Sequence, residues 1–213
     1  MSESALPSGD ASTGRRRPLL PRDLALIALF AALIAVLGLF GTLPLGPVAI
    51  TAQTLGVMLA GTLLGPRRAV LATLAFLVLT LAGLPLLAGG RGGLAPLFGP
   101  SAGYLLGWLP GVVVIAWLAP RNGRNYSLLH ALLANIVGGI VVIYALGLPV
   151  AAWRLGNGLS AVILAAVQFL PGDLLKAVIA ALIGRSIFRA FPIPPAGLRR
   201  GESLANIGSR PHH

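Results

Sequence analysis

The chain has 213 residues, of which 56% are hydrophobic and only 10% are charged, and its mean hydropathy is +0.89. This composition excludes an ordinary soluble domain and is typical of an integral membrane protein, with room for roughly five to seven helical spans. The 16 basic residues outnumber the five acidic ones and give a net charge of +11. Because these charges lie between apolar runs, we expect lipid around the chain and no nucleic acid partner.

Six apolar regions follow one another along the chain and predict six transmembrane helices. They cover residues 24–40, 48–64, 69–87, 103–119, 128–150 and 159–191. With both termini placed in the cytoplasm, 13 basic residues lie on the inner side and only Arg91 and Arg154 on the outer side, in agreement with the positive-inside rule. The predicted fold class is an all-α integral membrane protein, a compact bundle of six helices with both termini cytoplasmic.

The regions outside the apolar runs predict the domain organisation. We expect a disordered basic cytoplasmic segment over residues 1–22, one membrane domain over residues 23–191 and a cytoplasmic tail over residues 192–213. The tail ends in two histidines that resemble the remnant of a purification tag. The predicted location is the inner membrane of a bacterial cell, as a multi-pass protein.

The last apolar region is 33 residues long, which is too much for one comfortable span, and Pro171 with Gly172 interrupts it. We therefore expect a short external helix over residues 159–169 and a last span from Leu170 onward. This division places Asp173 in the first turn of the last span and Lys176 one turn deeper, on nearly the same face.

Asp173 and Lys176 are charged residues inside an apolar segment, where each charge costs several kcal/mol. One interpretation is an ion pair that satisfies itself. The other is an outer-leaflet cavity that also receives Arg91, which lies in the glycine-rich loop 88–93 on the same predicted side. That loop could equally be a flexible linker with a solvated arginine. Two cations and one carboxylate would suit a mostly apolar small molecule with one carboxylate and one polar head.

Weaker polar candidates lie near the predicted external ends of other spans. Gln53 either contacts a ligand or joins two helices by hydrogen bonds, and Tyr104 is an interfacial anchor or a further ligand contact. Asn135 is predicted to be a helix-to-helix contact. The loop 41–47, which is rich in glycine and proline, is either a lid over the cavity or an ordinary tight turn.

Small residues at four-residue spacing predict faces on which helices pack closely. Gly103, Gly107 and Gly111 in the fourth span are expected to meet a neighbouring helix of the same chain. The first span carries two such pairs, Ala28 with Ala32 and Ala31 with Ala35.

The sequence contains few of the residues that catalysis or metal binding would need. The chain has no cysteine and three histidines, of which two end the chain, so no metal and no cofactor are expected. Residues 99–103 match Gly-x-Ser-x-Gly, but His130 is predicted at the opposite side from Ser101, so we do not expect an enzyme. Lys176 is the only lysine and no phosphate-binding loop is present, so any ATP hydrolysis must come from another polypeptide.

Several stretches together carry a resemblance to a known family. They are GPVAITAQTLG (46–56), LAGTLLGPRR (59–68), GLPLLAGGRGG (83–93), GPSAGYLLG (99–107) and PGDLLK (171–176). In these stretches the chain resembles the BioY family, the biotin-specific substrate-binding (S) components of energy-coupling-factor transporters. The resemblance implies six helices, capture of biotin outside and delivery to the cytoplasm. It also implies a transmembrane coupling protein and two ATPase subunits as partners.

The resemblance further implies roles for single residues. Arg91, Asp173 and Lys176 match the family's polar biotin contacts, with Asp173 accepting from a ureido N–H and the two cations neutralising the carboxylate. The alanine face of the first helix resembles the surface that docks on the coupling protein. Two alternatives remain at this point: an S component for another vitamin, and a secondary transporter that couples solute to an ion through Asp173. Homo-oligomers are also left open.

Overall fold

A computed structural model describes residues 19–39, 51–121 and 126–190 of the chain. All the regular structure in these residues is helical, as expected. The helices are α1 (Pro21–Leu39), α2 (Gln53–Leu64), α3 (Pro66–Leu81), α4 (Ala95–Phe98), α5 (Ala102–Leu118), α6 (Leu128–Ile136), α7 (Ile143–Leu155), α8 (Leu159–Ala166) and α9 (Leu170–Ala190). A π-helical turn, Val137–Val142, joins α6 to α7, and a 3-10 turn, Val167–Phe169, joins α8 to α9.

Three helical runs among the described residues are long and apolar enough to cross a membrane: Pro21–Leu39, Leu128–Leu155 and Leu159–Ala190. Two shorter apolar helices, α2 and α5, pack among them. The chain is therefore a helical membrane protein, while the count of six spans and the cytoplasmic position of both termini stay predictions.

Some helix boundaries differ from those expected. Helix α1 begins at Pro21, so the last two residues assigned to the disordered segment are helical, while residues 1–18 and 191–213 lie outside the described part. Helix α3 ends at Leu81, although the apolar region continues to residue 87. The reason is Gly83, whose φ of 112° lies outside the helical region and turns the chain away.

The division of the last apolar region is confirmed at the expected residue. Helix α9 begins at Leu170, with Pro171 in its first turn, where the missing N–H costs no hydrogen bond. Helix α8 and the 3-10 turn precede it in one continuous helical run, so the external position expected for residues 159–169 stays a prediction. Asp173 accordingly lies in the first turn of α9, with Lys176 three residues later.

The glycine face of α5 packs inside the chain, as predicted. An added Cβ on Gly103 would overlap the Leu146 carbonyl, one on Gly107 would touch the backbone of Ile143, and one on Gly111 would lie 2.7 Å from the Gly138 carbonyl. These close approaches require glycine, because any side chain would push α5 away from α7 and the π turn.

Polar contacts tie the helices together at the end of the bundle remote from the glycine-rich loop 88–93. The Arg68 guanidinium lies 2.6 Å from the carboxylate of Asp23, which joins α3 to α1, and Asp23 also accepts from the backbone N–H of Leu20. The hydroxyl of Tyr126 donates to the Ala181 carbonyl of α9. Burial raises the pKa of Tyr126 to about 12, so this phenol keeps its proton at neutral pH.

Candidate functional site

A cavity opens at the end of the bundle where α2, α5 and α9 begin and α7 ends. The space between its walls is about 770 Å³, a figure that includes the solvent at its open side. The lining side chains are Thr51, Gln53, Thr54, Leu87, Arg91, Ser101, Tyr104, Leu105, Trp108, Ile143, Tyr144, Phe169, Asp173 and Lys176, with Gly139. All five predicted binding residues, Arg91, Asp173, Lys176, Gln53 and Tyr104, are thus brought to one cavity.

The carboxylate of Asp173 is buried, with 8% of the residue exposed, and both of its oxygens are engaged. Oδ1 lies 2.9 Å from the ammonium of Lys176, and Oδ2 accepts a 2.6 Å hydrogen bond from the hydroxyl of Tyr144. A carboxylate has about four lone-pair sites, so each oxygen can still accept from a ligand. The first turn of a helix also favours a negative charge at this position.

Lys176 links α9 to α2. Its ammonium donates to Asp173 and to Oγ1 of Thr54 at 3.1 Å, which leaves one of its three N–H groups without a partner among the described residues. The ion pair expected under the simpler interpretation is therefore present. It does not use up the binding capacity of either group.

Arg91 is carried by an ordered turn and not by a flexible linker. Leu87 and Arg91 exchange backbone hydrogen bonds of 2.9 and 3.2 Å, and Gly89 and Gly90 between them have φ values of 77° and 70°, which favour glycine. The Nε of Arg91 donates to the Ala88 carbonyl. This bond aims the guanidinium while its terminal nitrogens stay available to an anion.

Gln53 holds that turn in place. Its amide nitrogen donates to the carbonyls of Ile34 and Leu86, and its oxygen accepts from the backbone N–H of Ala88 at 3.1 Å. Both amide hydrogens are thereby used, and Gln53 is 1% exposed. Of the two interpretations, hydrogen bonding between structural elements is confirmed. A ligand contact stays a prediction and would have to use the second lone pair of the amide oxygen.

Aromatic rings form the apolar part of the cavity. Tyr104 packs edge-on against Tyr144, with ring centroids 5.7 Å apart, and Trp108 lies 5.7 Å from Phe76 in the core behind it. Phe169, the last residue of the 3-10 turn, lines the cavity next to the start of α9. The hydroxyl of Tyr104 makes no hydrogen bond within the described part of the chain, so it can serve a ligand.

Sequence reasoning missed Tyr144 and underrated Thr54. Tyr144 is the only tyrosine of the described residues that donates to a carboxylate, yet nothing in its neighbourhood along the chain is charged. A hydroxyl inside an apolar helix is the signal that could have identified it, because buried polar groups in lipid need a partner. Asn135 behaves as predicted and bonds to Thr62 of α2 at the opposite end.

The two alanine pairs of α1 lie on different faces. Ala28 and Ala32 are exposed, whereas Ala31 is buried and Ala35 packs against the core. Ala31 already contacts the same chain and offers little free surface, while the docking role expected of the four alanines stays a prediction. The Ala28–Ala32 face stays a candidate docking surface. The predicted lid, residues 41–47, lies outside the described residues.

The described residues contain no group of three or more potential metal ligands among their His, Asp and Glu side chains. Ser101 lines the cavity, whereas the imidazole of His130 contacts Ser127 Oγ at 2.7 Å, at the start of α6. Since α6 and α7 together run the length of the bundle between them, the two residues do not form a nucleophile and base pair.

Comparisons with known proteins show the family of the chain and its fold. The family model described as "BioY family" matches residues 10–193. The chain is 47% identical to "Biotin transporter BioY" of Rhizobium etli, over 82% of this chain and 97% of that protein. It is 42% identical to "Probable biotin transporter BioY" of Bacillus subtilis, over 84% of this chain and 97% of that protein. The crystal structure of "the S-component for biotin from an ECF-type ABC transporter" superposes with a TM-score of 0.73 at 31% identity, covering 78% of this chain and 90% of that one.

Proposed function

Because the chain belongs to the BioY family, whose members are transporter components and not enzymes, we propose that it is the biotin-binding subunit of a vitamin uptake transporter. Biotin would bind with high affinity in the cavity at the ends of α2, α5 and α9. The observation that carries this proposal is the convergence of Arg91, Asp173 and Lys176, from two distant parts of the sequence, on one partly apolar chamber.

The chemistry of biotin matches that of the chamber. Biotin combines a ureido ring, which has two N–H donors and one carbonyl, with an apolar thiophane ring and a carboxylate on a short chain. Asp173 would accept from a ureido N–H through a lone pair that Lys176 and Tyr144 leave unused. The terminal nitrogens of Arg91 and the third N–H of Lys176 would face the carboxylate or the ureido oxygen. Trp108, Tyr104 and Phe169 would cover the thiophane ring.

We propose that the cavity faces the outside of the inner membrane of a bacterial cell and that the six apolar regions all cross that membrane. Charge distribution supports this orientation. Among the described arginines, Arg91 and Arg154 lie at the cavity end of the bundle. The first turns of α1 and α3, the residues just after α5 and the last turns of α9 place arginines at the other end. The positive-inside rule assigns that other end to the cytoplasm.

Transport requires a partner in this proposal. The chain offers no phosphate-binding loop, so a transmembrane coupling protein with two ATPase subunits would supply the energy, with the exposed Ala28–Ala32 face of α1 as its docking surface. Small residues there would let a helix of the coupling protein approach closely. Delivery of biotin to the cytoplasm would follow a conformational step in that complex.

Calorimetric titration of the purified chain in detergent with biotin, riboflavin and thiamine tests the ligand. We expect saturable one-to-one binding of biotin and no heat from the other two. Binding of riboflavin or thiamine alone would instead identify an S component for another vitamin. Uptake in vesicles tests the energy source: it should require the ATPase subunits and should survive an ionophore, whereas the reverse result would identify an ion-coupled transporter.

A further inference from the structure

The helical run Leu128–Leu155 contains a π turn at its centre, Val137–Val142. A π turn hydrogen-bonds residue i to residue i+5 and therefore takes up one residue more than an α-helical turn. Such turns are rare, occur mostly as single turns inside α-helices and are frequently found at functional sites. Here the turn borders the cavity, since Gly139 lines it.

Two polar contacts lie on either side of this turn. Before it, Asn135 is fully buried and donates to Thr62 of α2 at 3.1 Å. After it, the hydroxyl of Tyr144 donates to Asp173 of α9 at 2.6 Å. Both contacts reach into the bundle from one helix, so both side chains must point to the same side of that helix.

An unbroken α-helix cannot satisfy this requirement. Tyr144 follows Asn135 by nine residues, and at about 100° per residue that spacing places the two side chains about 180° apart. If the π turn absorbs one residue, the angle falls to about 80°, and both side chains can face the bundle.

The packing of the turn agrees with this geometry. An added Cβ on Gly138 would come within 2.6 Å of the Gly111 carbonyl of α5, and one on Gly139 would overlap the Met58 side chain of α2. The two glycines therefore let the wide turn rest directly on its neighbours. Val141, on the outer side of the turn, is 56% exposed, so the extra residue is accommodated on the outer side.

We propose that the π turn sets the register of α7, so that Tyr144 is held against Asp173 while Asn135 stays on Thr62, and that Tyr144 is a positioning residue of the binding site. Tyr144 acts through the carboxylate: with Oδ2 fixed by the phenol, Oδ1 faces Lys176. The inference rests on the proposed function only in taking Asp173 as a ligand contact.

Two single-residue deletions test the inference. Deleting Val141 should convert the π turn into a regular α-helical turn and leave both flanks in place, so that biotin affinity stays within about threefold of the wild type. Deleting Ala145, which is also exposed, removes a residue beyond the π turn. Because Leu146, Gly147 and Val150 after it are packed on α5, the change falls on Tyr144, which rotates by about 100°. We expect that variant to lose at least about tenfold in affinity.

Tyr144→Phe separates positioning from a structural role. It removes the hydrogen bond and keeps the ring against Tyr104, so we expect the dissociation constant of biotin to rise about tenfold. The melting temperature should also fall, because Asp173 loses a donor. Tyr126→Phe is the matched control: it removes a phenol hydrogen bond at the other end of the bundle and should lower the melting temperature without changing the affinity. Unchanged affinity in the Tyr144→Phe variant would overturn the positioning role. A Val141 deletion that fails to fold or fails to bind, or an Ala145 deletion that binds as well as the wild type, would overturn the register role.

Failure of the proposed function gives a different pattern. If the wild type itself does not bind biotin, that proposal is wrong and the register inference is decided by melting temperature alone. The Val141 deletion should then melt within about 3 °C of the wild type and the Ala145 deletion clearly lower. Equal melting of the two variants would contradict the inference.

Discussion

Tyr144 and Asp173 are joined by a 2.6 Å hydrogen bond between helices α7 and α9. The bond fixes a carboxylate that also pairs with Lys176, so three helices meet at one buried acid, since Lys176 in turn reaches Thr54 of α2. A charge so placed is costly in an apolar protein unless each of its neighbours is held in position. These contacts hold the carboxylate in place, and under the proposed function this would favour tight binding, because little ordering would remain to be done.

Asp173→Asn should weaken biotin binding by roughly ten- to a hundredfold, because a hydrogen bond to a charged group contributes about 1.5–3 kcal/mol. The amide keeps the size of the side chain and can still accept from Tyr144, but Lys176 loses its counter-ion, so the melting temperature should fall as well. Isothermal titration measures the loss. Asp23→Asn is the matched control: it alters the other buried carboxylate of the described residues, at the opposite end of the bundle, and should leave biotin affinity unchanged. Equal effects of the two variants would contradict a ligand role for Asp173.

Arg91→Ala should weaken the binding of biotin more than that of biotin methyl ester, because the guanidinium is proposed to face the carboxylate. We expect the affinity for the acid to fall roughly tenfold and the affinity for the ester to fall less than about twofold. Arg154→Ala provides the control, since Arg154 is the other arginine at this end and lies over the ring of Trp153, 4.6 Å from its centroid. Competition binding with both ligands measures the ratio of the two affinity losses. Equal losses for acid and ester would place the carboxylate elsewhere.

Sequence alone was sufficient to find the charged centre of the site. Asp173, Lys176 and Arg91 stand out because charges in apolar surroundings are rare and expensive, and the break at Pro171 placed the first two at a helix start. The partner of Asp173 was not predictable in this way. Tyr144 carries no charge and lies 29 residues from Asp173 along the chain, and its hydroxyl in an apolar helix indicates that it has a polar partner but not which residue that partner is.

Helix register was equally beyond the sequence. The alanine pairs of α1 predict two small faces, but only the packed structure separates exposed Ala28 and Ala32 from buried Ala31. Hydropathy likewise extended the predicted third span to residue 87, because hydropathy does not detect the turn at Gly83. The π turn shows the same limit, since two glycines in an apolar run are compatible with either helical period.

Gln53→Ala should destabilise the chain and weaken ligand binding together. Three hydrogen bonds are lost, and the Leu86 carbonyl and the buried Ala88 N–H are left without their partner, at a cost of about 1–3 kcal/mol each. The Arg91 turn loses its support at Ala88. We expect a fall in melting temperature of several degrees, measured by thermal denaturation in detergent. Thr51→Ala, in the same segment at the cavity wall, is the control that should melt like the wild type. A stable Gln53→Ala protein would show that the turn is held by its own backbone bonds.

The docking surface is tested by enlarging small residues on each side of α1. Ala28→Leu with Ala32→Leu should leave biotin affinity unchanged, since both residues face away from the bundle. Uptake by the assembled transporter should fall by more than about tenfold, because the added side chains keep a partner helix at a distance. Ala145→Leu, an exposed change on α7, should leave uptake intact. Ala31→Leu should instead lower the melting temperature of the isolated chain, because Ala31 is already packed in its core. Normal uptake by the double variant would move the docking surface to another helix.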